Sequence, residues 1–404
     1  MSQDTQSIRF EKFIKATPAL VYEAFTNATS LQEWMCDFAT VNAKPGGRLY
    51  ASWNSGFYAM GEYISLEPNQ RISFTWLGRD EPAFTKVEIN LKEQQDNTLL
   101  RFEHSQIGIG PEWDDTKKAI QSGWESGLGN LISVLETGED LRFTRRPMLG
   151  IGISDFNEEI AHKLNVPVSK GIRLDTTIEG MGAHSAGLGS NDVIIGMDGK
   201  KIIDWESLGT VLQSHRAGDI IDVEFYRGPD KKTVTMELSK RPLPPMPGTI
   251  SELAEFFRKR QAEIHAELDA FFDQVTEDEA SFKLAPEEWS VKETLAHLIQ
   301  GERYFQFWVI DLVGRQEGHH DDWPGNILAG IQAIVAANPT FLELRQAYKR
   351  STEESVALLS HLPPEFQLHK ASFWRLAYNT VEDPYHHRIH LDQMRAAVEA
   401  ARKG

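Results

Sequence analysis

Apolar residues recur at two spacings along the first 140 residues of the chain. In residues 17–35, Leu20, Val21, Ala24 and Phe25 follow helical spacing and predict one helix near the N-terminus. Alternation of apolar and polar positions then predicts five strands, over residues 47–53, 58–66, 71–77, 84–93 and 97–105. Helical spacing returns over residues 117–138. This order predicts a curved antiparallel sheet wrapped around one long C-terminal helix.

The next segment, residues 147–241, is rich in strand patterns and has two short helical patterns. The dipeptide Asp198-Gly199 lies between two apolar runs, and such a pair predicts a tight hairpin turn. Asp204 precedes a short helical pattern whose first turn it can cap. Residues 220–238 predict a closing hairpin, so this segment is expected to form a β-rich domain.

A proline-rich stretch, residues 242–249, predicts a semi-rigid linker because proline cannot continue a strand or helix. The pattern beyond it is helical and predicts four long helices. Ser290 and Glu293 form an expected capping box at the start of the second helix, and Asn338 is the expected cap of the third. We therefore predict a multidomain α+β chain, with a sheet-and-helix domain over 1–140, a β-rich domain over 147–241 and an all-α four-helix bundle over 250–404.

Charge and cysteine content narrow the classes of partner. The 404-residue chain has a net charge of −17, with 12 basic against 20 acidic residues in 1–140, 14 against 14 in 141–245 and 16 against 25 in 246–404. No segment has the basic excess that attracts nucleic-acid backbones or anionic membranes, so we expect neither as a partner. Cys36 is the only cysteine, and no stretch of about 18 apolar residues occurs. We therefore expect a soluble, cytoplasmic protein.

Five motifs give the first segment a family resemblance: ATPALVYEAFTNATSLQEWM, PGGRLY, GEYISLEPNQRISFTW, TLLRFEHS and GWESGLGNLISVLETG. Together they resemble the START-like (SRPBCC) superfamily, in the branch named for activators of the heat-shock ATPase. The resemblance implies a helix-grip fold whose cavity, between the sheet and the long helix, often binds an apolar small molecule. Trp34, Trp53, Trp76 and Trp124 either line this cavity or simply fill the core.

The second segment contains RPMLGIGI, GAHSAGLGSNDVIIGMDGKKI, AGDIIDVEFYRG and TVTMELSKRP. Their order and glycine placement resemble a bacterial PDZ domain, close to those attached to high-temperature-requirement proteases. The resemblance implies a groove that binds the C-terminus of a protein as an added strand at a sheet edge. The expected groove residues are Leu149, Gly150, Ile151, Leu208 and Leu212. The alternative is that the domain serves only as a packing module.

Nine of the 13 histidines lie in the helical segment. His386 and His390 are four apart and share one helix face, whereas His387 points about 100° away from His386. Because position 387 lacks the glutamate of the H-E-x-x-H motif, a zinc-protease site is disfavoured. Two histidines are too few for a tight site. His297, on or beside the apolar face of the second helix, is the candidate third ligand, or else a hydrogen-bonded core residue.

The motif WSVKETLAHL, followed later in the chain by HHRIHLDQM, resembles the DinB-like superfamily of four-helix metalloproteins. The resemblance implies that His297, His386 and His390 bind a divalent metal, zinc or nickel, with open coordination positions. Some relatives are thiol-dependent transferases or isomerases. Asp383 or Asp392 is a candidate to orient a ligand ring. A second histidine cluster, residues 318–322, is expected to be a solvated loop.

Two hypotheses for the function follow from these segments. In the first, the chain is a binding protein with an apolar ligand cavity, a peptide groove and a metal site. In the second, the bundle is a metal-dependent transferase or hydrolase, including a thiol-dependent one, and the other domains select its substrate or location. The sequence offers no general base beside the histidines, and Cys36 lies in another domain. The binding protein is therefore the leading interpretation.

Overall fold

The protein is described by a computed structural model that covers residues 5–212, 214–318, 327–382 and 386–403, with only the backbone of Glu382 and His386. The chain divides into two compact units. One unit combines Met1–Glu139 with Pro244–Gly404, and the other is Asp140–Leu243. In the described part of the chain, no helix is both long and apolar enough to cross a lipid bilayer.

The N-terminal part of the first unit is a seven-stranded antiparallel sheet with a long helix packed on it. Its elements are β1 (Thr5–Ile14), α1 (Pro18–Thr26), α2 (Ala28–Trp34), β2 (Phe38–Val41), β3 (Arg48–Ser52), β4 (Tyr58–Glu67), β5 (Arg71–Gly78), β6 (Thr85–Gln94), β7 (Asn97–Gly108) and α3 (Pro111–Thr137). The strand order is β1-β7-β6-β5-β4-β3-β2, and Trp124, Leu128 and Leu131 of α3 join the core beneath it. The five predicted strands and the long helix are confirmed, whereas β1 and β2 were not predicted.

The single helix predicted near the N-terminus is wrong, because Asn27 divides it into α1 and α2. Asn27 has an extended backbone (φ −119°, ψ 137°), and its side chain accepts a hydrogen bond from the Ser30 N–H at 3.0 Å. It therefore ends one helix and caps the next. Thr17 caps α1, and Pro18 occupies the first turn, where its missing N–H removes no helical hydrogen bond.

The second unit is a strand-rich domain. Its elements are α4 (Leu141–Thr144), β8 (Pro147–Met148), β9 (Ile151–Ser154), α5 (Glu158–Lys163), β10 (Ile172–Thr177), α6 (Gly182–Ser185), β11 (Val193–Met197), β12 (Lys200–Lys201), α7 (Trp205–Leu212), β13 (Ile220–Arg227), β14 (Asp230–Glu237) and β15 (Ser239–Lys240). The main sheet has the order β14-β13-β11-β10-β9. The predicted hairpin at Asp198-Gly199 is confirmed, with positive φ at both residues (48° and 73°). Asp204 caps α7 as predicted, accepting from the Ser207 N–H at 2.8 Å.

The remainder of the first unit is helical. Its elements are α8 (Ile250–Phe272), α9 (Glu277–Ser281), α10 (Val291–Gly314), α11 (Leu328–Ala337), α12 (Phe341–Ser360), a 3-10 helix (Pro364–Leu368), α13 (Lys370–Glu382) and α14 (His386–Ala401). The long helices α8, α10, α12 and α14 confirm the predicted bundle, and Ser290 caps α10 in a capping box with Glu293. The predicted cap of the third long helix is wrong. Thr340 caps α12 instead of Asn338, because Thr340 and Glu343 satisfy each other's backbone N–H groups.

A buried polar network centred on Arg315 joins the sheet domain to the bundle within the first unit. Arg315 ends α10 in the left-handed conformation (φ 54°). Its guanidinium donates to Glu23 and Ser30 of the sheet domain and, at 3.2 Å, to Ser372 of α13. Glu33 lies 3.7 Å from Arg315 and accepts a hydrogen bond from Ser372. The network therefore ties α10 and α13 to α1 and α2.

Glu317 forms a second bridge between the same two parts. Its carboxylate accepts from Arg375 at 2.7 and 2.9 Å and from Trp308 at 2.8 Å, while its N–H donates to the Thr29 hydroxyl at 3.2 Å.

Burial raises the pKa of Glu33 and outweighs the opposing effect of Arg315 and Arg375. Charges buried in this way are stable only while their partners are present.

We expect Arg315→Ala to lower the free energy of unfolding of the full chain by about 3 kcal/mol or more, because it removes a cation from beside a buried carboxyl. The measurement is urea unfolding followed by tryptophan fluorescence. Arg101→Ala is the matched control, since Arg101 forms an exposed ion pair with Glu11 at 2.8 Å and its loss should cost little. An equally small effect in both variants would contradict a structural role for Arg315.

Candidate functional site

Two of the three predicted metal ligands lie together in the bundle. His297 is on α10 and His390 is on α14, and their ring centroids are 4.6 Å apart with an interplanar angle of 64°. Both side chains are buried, at 2% and 8% exposure. Two imidazoles on one tetrahedral zinc ion have centroids about 5 Å apart, because each Zn–N bond is about 2.1 Å long. The pair therefore has a separation that suits one shared ion.

The third predicted ligand, His386, is the first residue of α14 and precedes His390 by four residues. That spacing sets their Cα atoms about 6 Å apart on one helix face. Among the described side chains, no group of three or more histidines, cysteines, aspartates or glutamates could hold a metal ion. His386 as the third ligand remains a prediction, because only its backbone is described. The second histidine cluster, residues 318–322, lies outside the described residues from His319 onwards.

Gln393 orients the ring of His390. Its side-chain oxygen lies 2.8 Å from Nδ1 of His390, which keeps the N–H on Nδ1 and places the lone pair on Nε2, the form that a metal requires. Asp392, one of the two carboxylates suggested for this role, instead accepts a hydrogen bond from Arg395 at 3.1 Å. The other, Asp383, lies outside the described residues. The sequence did not single out Gln393, although an amide one helical turn after a histidine can reach its ring.

His387 has a different role from its neighbours. Its Nε2 lies 3.2 Å from the carboxylate of Glu267 on α8, and this hydrogen bond lowers the pKa of Glu267. His387 therefore ties α14 to α8.

A half-buried glutamate on α10 was missed by the sequence analysis. Glu302 follows His297 by five residues, and it accepts hydrogen bonds from Ser355 of α12 at 2.6 Å and from Gln261 of α8 at 3.3 Å. Burial raises the pKa of Glu302 to about 7, although both hydrogen bonds lower it. No cation among the described residues forms an ion pair with it. The only signal in the sequence was an acidic residue within an otherwise apolar helix, and the sequence does not show which face is buried.

The predicted peptide groove borders β9. This strand lies at the edge of the PDZ-like sheet and pairs with β10 on one side. Gly150 precedes it with φ 74°, and a Cβ there would lie 2.3 Å from the Cβ of Met181, so only glycine fits. Ile151 and Leu212 are half-buried against the core of this unit, whereas Leu149 and Leu208 are buried within it. Ile151 and Leu212 therefore lie at the surface. Leu149 and Leu208 lie in the core beneath them.

The four tryptophans proposed for the apolar cavity belong to or border one hydrophobic core, but only Trp76 and Trp124 have rings in contact with each other. The rings of Trp76 and Trp124 have centroids 5.2 Å apart, whereas Trp34 packs against Phe25 at 5.1 Å and is only 1% exposed. Trp53 is partly buried. The indole N–H of each has an acceptor within the domain. Trp34 therefore fills the core, and Trp76 with Trp124 is the pair that shares one interior region.

His104, which the sequence analysis did not name, lies beside that pair. Trp124 donates to Nδ1 of His104 at 2.9 Å, so the ring N–H is on Nε2, which donates to the Thr85 hydroxyl at 2.6 Å. Thr85 in turn donates to the backbone carbonyl of Trp76 at 3.0 Å. Burial lowers the pKa of His104 to about 4. The ring is held neutral, because protonation of Nδ1 would abolish the hydrogen bond from Trp124.

Three family models match the chain. The model for the Activator of Hsp90 ATPase homolog 1-like protein matches residues 15–136, that for the PDZ domain matches 147–238, and that for the DinB superfamily matches 262–394. The chain joins one domain of each type. The sheet domain is thus Hsp90-activator-like, the strand-rich unit is PDZ-like, and the bundle is DinB-like, which confirms the three predicted resemblances and their order.

Individual relatives match only parts of the chain. A probable periplasmic serine endoprotease DegP-like protein from Marinomonas sp. (strain MWYL1) is 29% identical over 100 residues, which are 25% of this chain and 21% of that protein. The serine protease Do-like HtrA of Lactococcus lactis subsp. cremoris (strain MG1363) is 31% identical over 156 residues, 35% of this chain and 37% of that protein. The chain thus spans well under half the length of these curated relatives.

Solved structures that resemble the chain cover about a third of it. The Aha1 dimer from Colwellia psychrerythraea matches with a TM-score of 0.30 and 22% identity, over 32% of this chain and 96% of that one. An HSP90 activator from Plasmodium falciparum matches with a TM-score of 0.29 and 24% identity, over 32% of this chain and 95% of that one.

We expect acidification to destabilise the chain partly through His104. The pKa of His104 is about 4 in the folded protein and 6.5 in the unfolded chain. The free energy of unfolding is therefore highest above pH 6.5 and decreases as the pH falls towards 4. The loss should approach about 3 kcal/mol, since each pKa unit corresponds to about 1.4 kcal/mol. The measurement is urea unfolding of the full chain across this pH range.

His104→Gln should remove that part of the pH dependence, because glutamine can accept from Trp124 and donate to Thr85 without titrating. His361→Gln, at an exposed histidine of the bundle, is the matched control. Parallel pH profiles for the parent and His104→Gln would show that His104 does not account for the acid sensitivity.

Proposed function

We propose that the DinB-like domain binds a divalent metal, zinc or nickel, through His297, His386 and His390. The observation that carries the proposal is the buried pair of imidazoles from two facing helices, 4.6 Å apart. Neutral imidazole is a preferred ligand of both metals, and three histidines leave at least one coordination position for another molecule. A metal bound there would act as a Lewis acid or raise the acidity of a bound ligand.

The residues around the pair support a preformed site. Trp289 packs its ring 5.0 Å from that of His297, and Gln393 fixes the orientation of His390. The contact between His387 and Glu267 holds the start of α14 against α8. Ligand rings that are already oriented lose less side-chain entropy when the metal binds.

Tag-free protein should contain about one zinc or nickel ion per chain, as measured by elemental mass spectrometry. His297→Ala, His386→Ala and His390→Ala should each lose it, because the two remaining histidines make too weak a site. His387→Ala is the matched control and should keep the metal, since His387 contacts Glu267. A parent protein that remains empty after loading with zinc and with nickel would refute the site.

We propose further that the PDZ domain binds the C-terminus of a partner protein between β9 and α7. The exposed edge of β9 supports this, because an extended peptide can add to it as a strand. The glycine at position 150 supports it as well, since a loop without a side chain lets backbone N–H groups approach a terminal carboxylate. Ile151 and Leu212 would contact the last side chain of the peptide.

A fluorescent peptide that ends in valine should bind the full chain with its carboxylate free and at least about tenfold more weakly as the C-terminal amide. The amide should bind more weakly because each hydrogen bond to a charged group contributes about 1.5–3 kcal/mol to the binding free energy. Leu212→Ala should weaken binding, whereas Ile220→Ala, at a residue of β13 with 71% exposure, should not. Fluorescence anisotropy gives the affinities, and equal binding of the two peptides would exclude a carboxylate-binding loop.

The chain as a whole is then a multidomain binding protein, in which the Hsp90-activator-like domain holds an apolar small molecule near Trp76 and Trp124. A cytoplasmic location is our expectation for it. The DegP-like relative is named as periplasmic, and that location is the alternative for this chain. A second candidate function is a metal-dependent transferase or hydrolase in the DinB-like domain. It is favoured by one observation, the buried carboxyl of Glu302 on the same helix as His297.

A further inference from the structure

The PDZ-like unit contains a cavity that is separate from the proposed peptide groove. Its volume is about 570 Å³, within the range of about 300–1,000 Å³ that is typical of small-molecule sites. Its walls are the loop over residues 167–170, strands β11 and β12, and the hairpin of β13 and β14. The proposed groove lies along β9 and α7, and none of the described residues of these two elements lines the cavity.

Two glycines shape this cavity. Gly171 has φ 145°, and a Cβ there would lie 2.7 Å from the backbone oxygen of Ile194, so only glycine lets the loop pack this closely on β11. Gly196 pairs with Lys201 of β12 on one side and with Glu224 of β13 on the other. Paired residues point to the same face of a sheet. The missing side chain at position 196 therefore leaves a gap of about 10 Å, two strand spacings, between the strands that carry Lys201 and Glu224.

The floor of the cavity is partly apolar. The register of β11 against β13 shifts between Ile194 and Gly196, so Ile195 is the extra residue of a β-bulge. Ile195 is half-buried and lines the cavity, whereas Ile194 and Met197 lie in the core. Val168 of the loop is also half-buried and lines the cavity. The cavity can therefore contact the apolar part of a ligand.

Lysines line the cavity on three sides. Lys170 belongs to the loop, Lys201 to β12 and Lys231 to β14. Lys231 forms an ion pair with Glu224 at 2.8 Å, whereas Lys170 and Lys201 form no ion pair with any described residue. Glu224 is the only acidic residue among the described residues of the lining. Two of these three positive charges are therefore unbalanced.

The neighbouring polar groups do not cancel this excess. Lys200 also lines the cavity, and its ammonium lies 3.5 Å from the hydroxyl of Ser214, which has no charge. Hydrogen bonds from Ser207 lower the pKa of Asp204, and the charge of Lys170 contributes less. Asp204 caps α7 and is not part of the lining. The cavity is therefore a positively charged site in a chain whose net charge is −17.

We propose that this cavity binds a small phosphate monoester. The phosphate lies between Lys170 and Lys201, and the organic part contacts Ile195. A phosphate monoester has a charge close to −2 at neutral pH, which matches two unbalanced ammonium groups, and lysine binds phosphate as a point charge. A long polyanion fits less well, because residues 141–245 have 14 basic and 14 acidic residues and the lysines surround one cavity instead of forming a stripe. This site depends on neither the metal site nor the peptide groove.

The test compares two model esters on the full chain. Phenyl phosphate and methyl phosphate share the charged group, but only phenyl phosphate has an apolar part large enough to contact Ile195. The ³¹P line width of each ester is measured against protein concentration at low ionic strength and about pH 8, where both esters are dianions. A chelator is present, so that no metal ion binds the esters. The parent protein should broaden both signals and bind phenyl phosphate several-fold more tightly, because the ring leaves water.

Lys170→Gln and Lys201→Gln should each weaken the binding of phenyl phosphate about threefold, and the double variant about tenfold, as expected for partly exposed charges. Lys232→Gln is the matched control. Lys232 follows Lys231 on β14, so its side chain points to the opposite face of that strand and its loss should leave the affinity unchanged.

Each outcome supports or overturns the inference. A tenfold loss in the double variant, with none in Lys232→Gln, would establish the cavity as the binding site. Equal affinities of the parent and the double variant would overturn it, and so would an equal loss in Lys232→Gln, which indicates general attraction to surface lysines. A parent protein that broadens neither signal would refute the site. Equal binding of the two esters would overturn the choice of an organic ester, because the phosphate alone would then account for binding.

Discussion

The half-buried guanidinium of Arg315 is the contact on which the geometry of the first unit depends. It ends α10 and reaches acidic and hydroxyl groups on α1, α2 and α13. Helix α10 carries His297 and Glu302, and α13 leads into α14, which carries His390. Arg315 therefore fixes the end of one helix of the candidate metal centre and contacts α13, the helix that precedes the other in the chain. Because a buried charge is costly without its partners, the Hsp90-activator-like domain and the bundle share one arrangement instead of moving independently.

Two buried titratable groups of the first unit illustrate how structural and chemical roles differ. Both nitrogens of His104 have partners, and its hydrogen bonds are compatible only with the neutral ring. Nothing in that arrangement calls for a ligand, and its effect is on stability at low pH. Glu302 has partners that suit either protonation state, and its neighbour Gln261 has an unused acceptor. The second arrangement leaves one buried polar atom, Oε1 of Gln261, without a partner among the described residues.

Local sequence signals predicted most of the fold. Alternating apolar residues identified β3 to β7, Asp198-Gly199 identified a hairpin, and Ser290 with Glu293 identified the start of α10, because each signal is set within a few neighbouring residues. The break at Asn27 was missed, since apolar periodicity continues through it. The cap of α12 was misplaced by two residues, because Asn338 and Thr340 are both good caps and only one has Glu three residues later.

The candidate sites were less predictable, since they depend on contacts between distant segments. The family motif pointed to His297 and His390, and no local feature predicted that their rings would be neighbours across two helices. The partners Gln393, Ser355 and Gln261 carry no motif at all. Glu302 was overlooked because an acidic residue on a helix is usually exposed, and only the packing of α8 and α12 against α10 reveals its burial.

His297 and Glu302 lie on different faces of α10, because a spacing of five residues corresponds to a rotation of about 140° around the helix. A histidine metal site with an open position binds a ligand but has nowhere to send its proton unless a base of suitable pKa is near. Glu302 follows His297 by five residues on the same helix, but it accepts hydrogen bonds from Gln261 and Ser355, on α8 and α12. The PDZ domain, a separate compact unit, needs no such coupling, because β-strand addition depends only on its own edge strand. The proposed peptide groove and the proposed metal site therefore belong to different compact units of the chain.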